Sequence, residues 1–130
     1  MKETANLESL VTSITDPIVA NFTEIDPVKC PCGQARRGLA ESGNPLCSVH
    51  VVEISKNARK HYHKNHIEIY YGLEGSGALE IDDTLQPLAP GKAILIPTGV
   101  RHKAVVQDDK PLNILNIVIP PFDPEDEHFD

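Results

Sequence analysis

Between Cys47 and Ile119 the chain leaves no interval long enough for a helix that could cross over a sheet. Short runs rich in β-branched residues recur about every eight to twelve residues, at 48–54, 60–63, 67–73, 77–81, 85–88, 93–96, 102–106 and 112–119. Turn-forming sequences separate them: Lys64-Asn65, Glu74-Gly75-Ser76-Gly77, Asp82-Asp83, Pro90-Gly91, Pro97-Thr98-Gly99 and Asp108-Asp109. Parallel strands need crossovers of a dozen residues or more, so βαβ units are excluded. Many short strands at this spacing predict an all-β sandwich or barrel.

Upstream the pattern differs. Residues 3–14 place Leu7, Leu10, Val11 and Ile14 on one face of a short amphipathic helix, which Asp16-Pro17 ends. Residues 18–44 read as irregular, with turns at Asp26-Pro27, Cys30-Pro31-Cys32-Gly33 and Ser42-Gly43-Asn44-Pro45. The expected organisation is a helical and irregular extension over 1–46 packed on the barrel, a barrel over 47–120, and an acidic tail over 121–130. The 130 residues make one ordinary domain.

Charge narrows the partners. The formal net charge of −7 falls to −2 without the last eight residues, which hold Asp123, Glu125, Asp126, Glu127 and Asp130. No basic stripe suits a phosphate backbone, so nucleic acid is not expected as a partner. The tail reads as a solvated end. No run of about 18 apolar residues predicts a membrane span, and the N-terminus lacks a secretory pattern, so the expected compartment is the cytoplasm. Cys30, Cys32 and Cys47 are then expected as thiols.

Three of the six histidines lie within six residues: His61, His63 and His66. Residues two apart on a strand point to one face with Cα atoms roughly 6.6 Å apart. His61 and His63 can therefore converge on one ion at about 2.0–2.1 Å per bond, or simply decorate a polar surface. Glu68 lies at an odd offset from His63, but the intervening Lys64-Asn65-His66 reads as a turn that resets the face. His66, in that turn, is expected to be exposed and not a ligand. Further on, Gly91, an apolar strand and Pro97-Thr98-Gly99 lead to His102, a layout that aims one imidazole back into a barrel mouth.

These residues resemble the two motifs of the cupin superfamily. The first runs His61, His63, Glu68, Gly75; the second runs Gly91, Pro97, Gly99, His102. Ser55 and Val106 stand where the family carries a glycine and an asparagine, neither of them a ligand position. The resemblance covers roughly residues 47–120. It implies a double-stranded β-helix with jelly-roll topology. It further implies one divalent transition metal (Fe, Mn, Ni, Cu or Zn) held by His61, His63, Glu68 and His102 near the open end.

Other residues carry weaker signals. Tyr70 should share the inward face with Glu68, either to orient a substrate or donate a proton, or as a core aromatic. Arg101 should point away from a metal, toward the surface. Cys30, Cys32, Cys47 and His50 could make a zinc site, but strand parity separates Cys47 from His50. Arg36 and Arg37 could grip a carboxylate or phosphate, or be solvated. The expected function is an enzyme acting on a small oxygen-rich molecule at the metal, dioxygenase-like or isomerase-like on sugars or keto acids. The alternative is a non-catalytic cupin that binds or senses a small molecule. A homodimer is expected, since cupin barrels commonly pair through a sheet face and the N-terminal stripe adds apolar surface; the competing reading folds that stripe back on its own barrel.

Overall fold

The structure is a computed structural model that describes residues 6–40, 43–107 and 109–129. Among the described residues, nine strands form two antiparallel sheets. In chain order they are β1 (Val28–Cys30), β2 (Gly33–Gly38), β3 (Ser48–Ile54), β4 (Ile67–Glu74), β5 (Gly77–Ile81), β6 (Thr84–Leu88), β7 (Ala93–Ile96), β8 (His102–Val106) and β9 (Leu112–Ile119). The larger sheet has the order β1-β2-β3-β9-β4-β7 and the smaller β6-β5-β8. The chain passes repeatedly from one sheet to the other, which makes a jelly-roll β-barrel. The one α-helix among the described residues, Leu7–Thr12, is neither long nor apolar enough to cross a membrane.

Alternation explains the strands. Along β9 the even-numbered residues Leu112, Ile114, Asn116 and Val118 are buried, while the residues between them are only partly so. Ile54, Leu79, Leu88, Ile96, Leu112 and Ile114 are buried at the centre of the barrel. Burying each such side chain fully stabilises the fold by about 1.5–3 kcal/mol.

Three regions differ from the sequence expectations. Residues 28–38, expected to be irregular, form a hairpin that extends the larger sheet past β3. Polar and charged residues (Lys29, Gln34, Arg36, Arg37) hide the period-2 signal there. Gly33 turns that hairpin at φ +154°, where an added Cβ would lie 2.0 Å from the Glu53 carbonyl oxygen, so only glycine fits. Residues 60–63, expected to form a strand, instead make isolated bridges, His61 with His102 and Tyr62 with His128. Their second partner is thus the chain's own C-terminal segment. The acidic tail is accordingly not a solvated end: Asp126 is buried against the turn at 64–66.

The apolar stripe of the N-terminal helix behaves differently again. No residue of the helix is buried, and Leu7 and Val11 are 71% and 55% exposed.

Candidate metal centre

Four side chains from three separate segments converge. His61 and His63 come from the bridge segment before β4, Glu68 from β4 and His102 from the start of β8. Their candidate ligand atoms all lie within 4.8 Å of one another. His63, Glu68 and His102 are buried, and His61 is partly so. The face reset at the turn operates as expected: Glu68 and Tyr70 are buried on one side of β4, and Tyr71 is exposed on the other.

His102 is delivered by the Pro97-Thr98-Gly99 turn. Gly99 adopts φ +80°, a conformation that favours glycine, and its N–H donates to the His63 carbonyl at 2.7 Å. His61 and His102 exchange backbone hydrogen bonds at 3.0 and 2.9 Å, which sets their rings 4.5 Å apart. The two motifs are therefore stitched together by main chain before any side chain acts.

Each of the three imidazoles is fixed by its Nδ1. That of His61 faces the Arg59 carbonyl at 2.9 Å, that of His63 the Asp126 carbonyl at 2.7 Å, and that of His102 the Val100 carbonyl at 2.9 Å. A carbonyl only accepts, so each Nδ1 carries the proton and each Nε2 is left to serve the centre. Around Glu68 Oε2 stand His102 Nε2 at 2.9 Å, His63 Nε2 at 3.3 Å and the Tyr70 hydroxyl, which donates, at 3.3 Å. The His63 nitrogen, though close, is buried without a hydrogen-bond partner.

These atoms suit a cation. A carboxylate oxygen and an imidazole lone pair at 2.9 Å repel unless a proton or metal lies between them. Two atoms bonded to one ion at about 2.0–2.1 Å, 90° apart, are separated by about 2.9 Å. Imidazole and carboxylate donors suit first-row divalent metals. Burial would raise the Glu68 carboxyl, but His102 and His63 outweigh it and hold it well below the usual carboxylate range. Burial and the charge of Glu68 push the Tyr70 phenol well above its ordinary value, so it keeps its proton.

His66 corrects the sequence reading. It is 3% exposed, not a surface turn residue, because the tail folds over it. Its Nδ1 lies 3.2 Å from Asp126 Oδ2, and its ring lies 4.0 Å from that of His63. Asp126 also accepts from the backbone N–H groups of Lys64 and Asn65, at 3.0 and 2.9 Å. Burial would raise its carboxyl, but these donors and His128 hold it below the usual range. Asp126 was not legible as part of the site, since nothing in a run of tail acids marks the one that returns.

The cavity beside the cluster has a volume of about 120 Å³ and is lined by both strands of the first hairpin. Arg37 lines it, lying 4.0 Å over the Phe122 ring, while Arg36 on the opposite face donates to the carbonyls of Phe22 and Ile25. Neither is a solvated arginine. Arg101 packs 4.2 Å over the ring of Tyr62. Cys30, Cys32, Cys47 and His50 are not gathered as a metal-holding group among the described residues.

Comparison with known proteins places the fold. A family profile described as a cupin domain matches residues 49–118. The uncharacterised protein MJ1618 of Methanocaldococcus jannaschii is 34% identical over 76 residues, 58% of this chain and 61% of that protein. The crystal structure of a protein from Planctomyces limnophilus superposes with a TM-score of 0.79 at 41% identity, covering 88% of this chain and 97% of that one. Pac13 of Streptomyces, described as a nucleoside dehydratase, shares the fold at 16% identity and a TM-score of 0.71, over 87% of this chain and 90% of its own.

Proposed function

The chain belongs to the cupin family, and we propose that it holds one divalent transition metal between His61, His63, Glu68 and His102 and acts there on a small, oxygen-rich molecule. One observation carries this reading: three imidazoles are tethered by Nδ1 to backbone carbonyls so that their Nε2 atoms and Glu68 meet in one buried spot. Such tethering fixes the tautomer and the ring plane that a ligand needs. A bound metal would supply Lewis acidity or a redox centre, the chemistry of dioxygenases and of sugar or keto-acid isomerases.

The chain's own residues define the rest. Tyr70 lines the cavity and donates to Glu68, so it orients the carboxylate and is the nearest phenolic proton to anything bound there. Arg37 has no carboxylate partner among its described contacts, its nearest polar one being His50 Nδ1 at 3.5 Å. It gives the cavity a place for an anionic group. A nucleoside dehydratase on the same fold supports catalysis in such a barrel without passing on its substrate. The exposed Leu7 and Val11 support a homodimer as part of the same reading, and the expected compartment is the cytoplasm.

Elemental analysis of protein purified without chelator should give near one transition metal per chain. The metal-loaded protein should then consume oxygen or convert substrate in a panel of enols, diphenols, keto acids and keto sugars. Saturable binding with the ligand recovered unchanged would favour the alternative, a binding or sensing cupin. No metal on isolation, and none taken up from Fe, Mn, Ni, Cu or Zn salts, would sink the proposal.

A further inference from the structure

We propose that Cys30 and Cys32 form a two-electron dithiol/disulfide centre at the edge of the cavity, oxidised by small disulfides. The two sulfur atoms are 3.5 Å apart, and both residues line the cavity that the His/Glu cluster faces. Both thiols are free and partly buried. A disulfide needs about 2.03–2.05 Å between sulfurs, a closure that side-chain rotation can supply when the backbone already holds the pair together.

The backbone does hold them. Cys30 ends β1 and pairs with Gly33, so Pro31 and Cys32 are the two turn residues. The Cys32 carbonyl accepts from the N–H groups of Ser55 and Lys56 at 2.9 and 3.2 Å, which anchors the turn to the end of β3. Gly33, with no room for a side chain over the Glu53 carbonyl, fixes the hairpin from the other side.

The two sulfurs are not equivalent. The contact with the Cys32 thiol, the N–H groups of Cys32 and Gly33 and the charge of Arg37 outweigh burial and bring the Cys30 thiol down to about 6. The Cys32 thiol is pushed up by that same contact and by burial. Cys30 is then the attacking thiolate and Cys32 the resolving thiol.

The exchange balances. Cys30 Sγ⁻ attacks one sulfur of a small disulfide RSSR; the S–S bond breaks and RS⁻ leaves with the electron pair. The Cys32 thiol gives its proton to that RS⁻ and attacks Cys30 Sγ, expelling the second RS⁻. Two electrons pass from the dithiol to RSSR, which ends as RSH and RS⁻. The inference does not rest on the metal reading, since neither sulfur belongs to the four candidate ligands.

The test is equilibration of the full-length protein in glutathione buffers under nitrogen, followed by alkylation and intact-mass analysis. Oxidising buffers should convert a triply alkylated species into one alkylated only at Cys47, with a bridged-to-reduced ratio that rises with the concentration of glutathione disulfide over the square of that of glutathione. Cys47→Ser should form the same bridge. Cys32→Ser should stop as a mixed disulfide with glutathione at Cys30, whereas Cys30→Ser should trap little. Three thiols still alkylatable at the oxidising limit, a bridge that includes Cys47, or glutathione trapped mainly at Cys32 would each overturn the proposal.

Discussion

Two clusters of histidine and carboxylate lie side by side in this barrel, and they are built for opposite ends. In the inner one, His61, His63 and His102 turn their Nδ1 protons outward to backbone carbonyls and leave Nε2 to Glu68. In the outer one, His63, His66 and Asp126 also bring candidate ligand atoms within 4.8 Å. There the carboxylate is already full. Oδ1 faces the Lys64 N–H at 3.0 Å and His128 Nε2 at 3.1 Å, and Oδ2 faces the Asn65 N–H at 2.9 Å and His66 Nδ1 at 3.2 Å. The His63 Nδ1 proton is spent on the Asp126 carbonyl. His66 Nε2 is left without a partner, and His63 Nε2 is turned away from Asp126 toward Glu68. Residue type and distance are alike in the two clusters. What separates a candidate metal centre from a structural clasp is the number of lone pairs left over.

The sharpest way to break this comparison is to remove one histidine from each cluster. His102→Ala deletes a proposed ligand, and metal affinity should fall by more than about 100-fold, the upper range for loss of a mere supporting partner. His66→Ala should leave stoichiometric metal. Because His66 is buried, it should also destabilise the fold by about 1–3 kcal/mol, an effect its sequence position did not foreshadow. Metal analysis and thermal unfolding of both variants decide the matter. A metal-free His66→Ala beside a metal-loaded His102→Ala would exchange the two roles.

Acid should act on the inner cluster next. All three imidazoles must be neutral to ligate, and an unperturbed imidazole titrates at about 6.5. Below that range affinity should fall about tenfold per pH unit for each protonated ring. Affinity that stays flat from neutral pH to about 5, measured with a metal indicator, would remove the three-imidazole centre.

Asp126→Asn probes how far the clasp supports the centre. The amide presents N–H where the carboxylate accepted N–H, so stability should drop by about 1–3 kcal/mol. The Asp126 carbonyl that orients His63 would loosen with it, and metal affinity should fall by about 10-fold. Unfolding that shifts while metal affinity holds would show that His63 keeps its orientation without the clasp.

The barrel and the inner cluster were legible because their signals are local. β3, β5, β7, β8 and β9 have the same bounds in the structure as in the alternation of the sequence. The spacing of His61, His63, Glu68 and His102 is that of two short motifs. What was not legible depends on contacts distant in sequence. His66 and Asp126 meet across some sixty residues, and the pairing of Tyr62 with His128 is a single bridge. The strand β2 carries Gln34, Arg36 and Arg37, so its polarity masks its pairing; only the close approach of Gly33 to Glu53 shows why the chain lies there.

The smallest effect sets His63 against His66 within one stacked pair. Burial pulls the His63 imidazole down, but the Glu68 carboxylate beside it, with Asp126, more than reverses this and leaves it above the ordinary value. Burial and the charge of His63 take the His66 imidazole below it. The linkage therefore has opposite signs. The stability from His63 is present below about pH 6.5 and is lost as pH rises through its elevated folded value. That from His66 is present above about pH 6.5 and is lost as pH falls through its depressed one. Both titrations are readable in the metal-free protein from the imidazole Cε1–H resonances, with His63→Gln and His66→Gln to assign them. The His63 midpoint should lie above that of His66 although the ring centroids are only 4.0 Å apart. If the order were reversed, Glu68 would not be the carboxylate that dominates His63, and the division between an open inner cluster and a saturated outer one would fail at the residue they share.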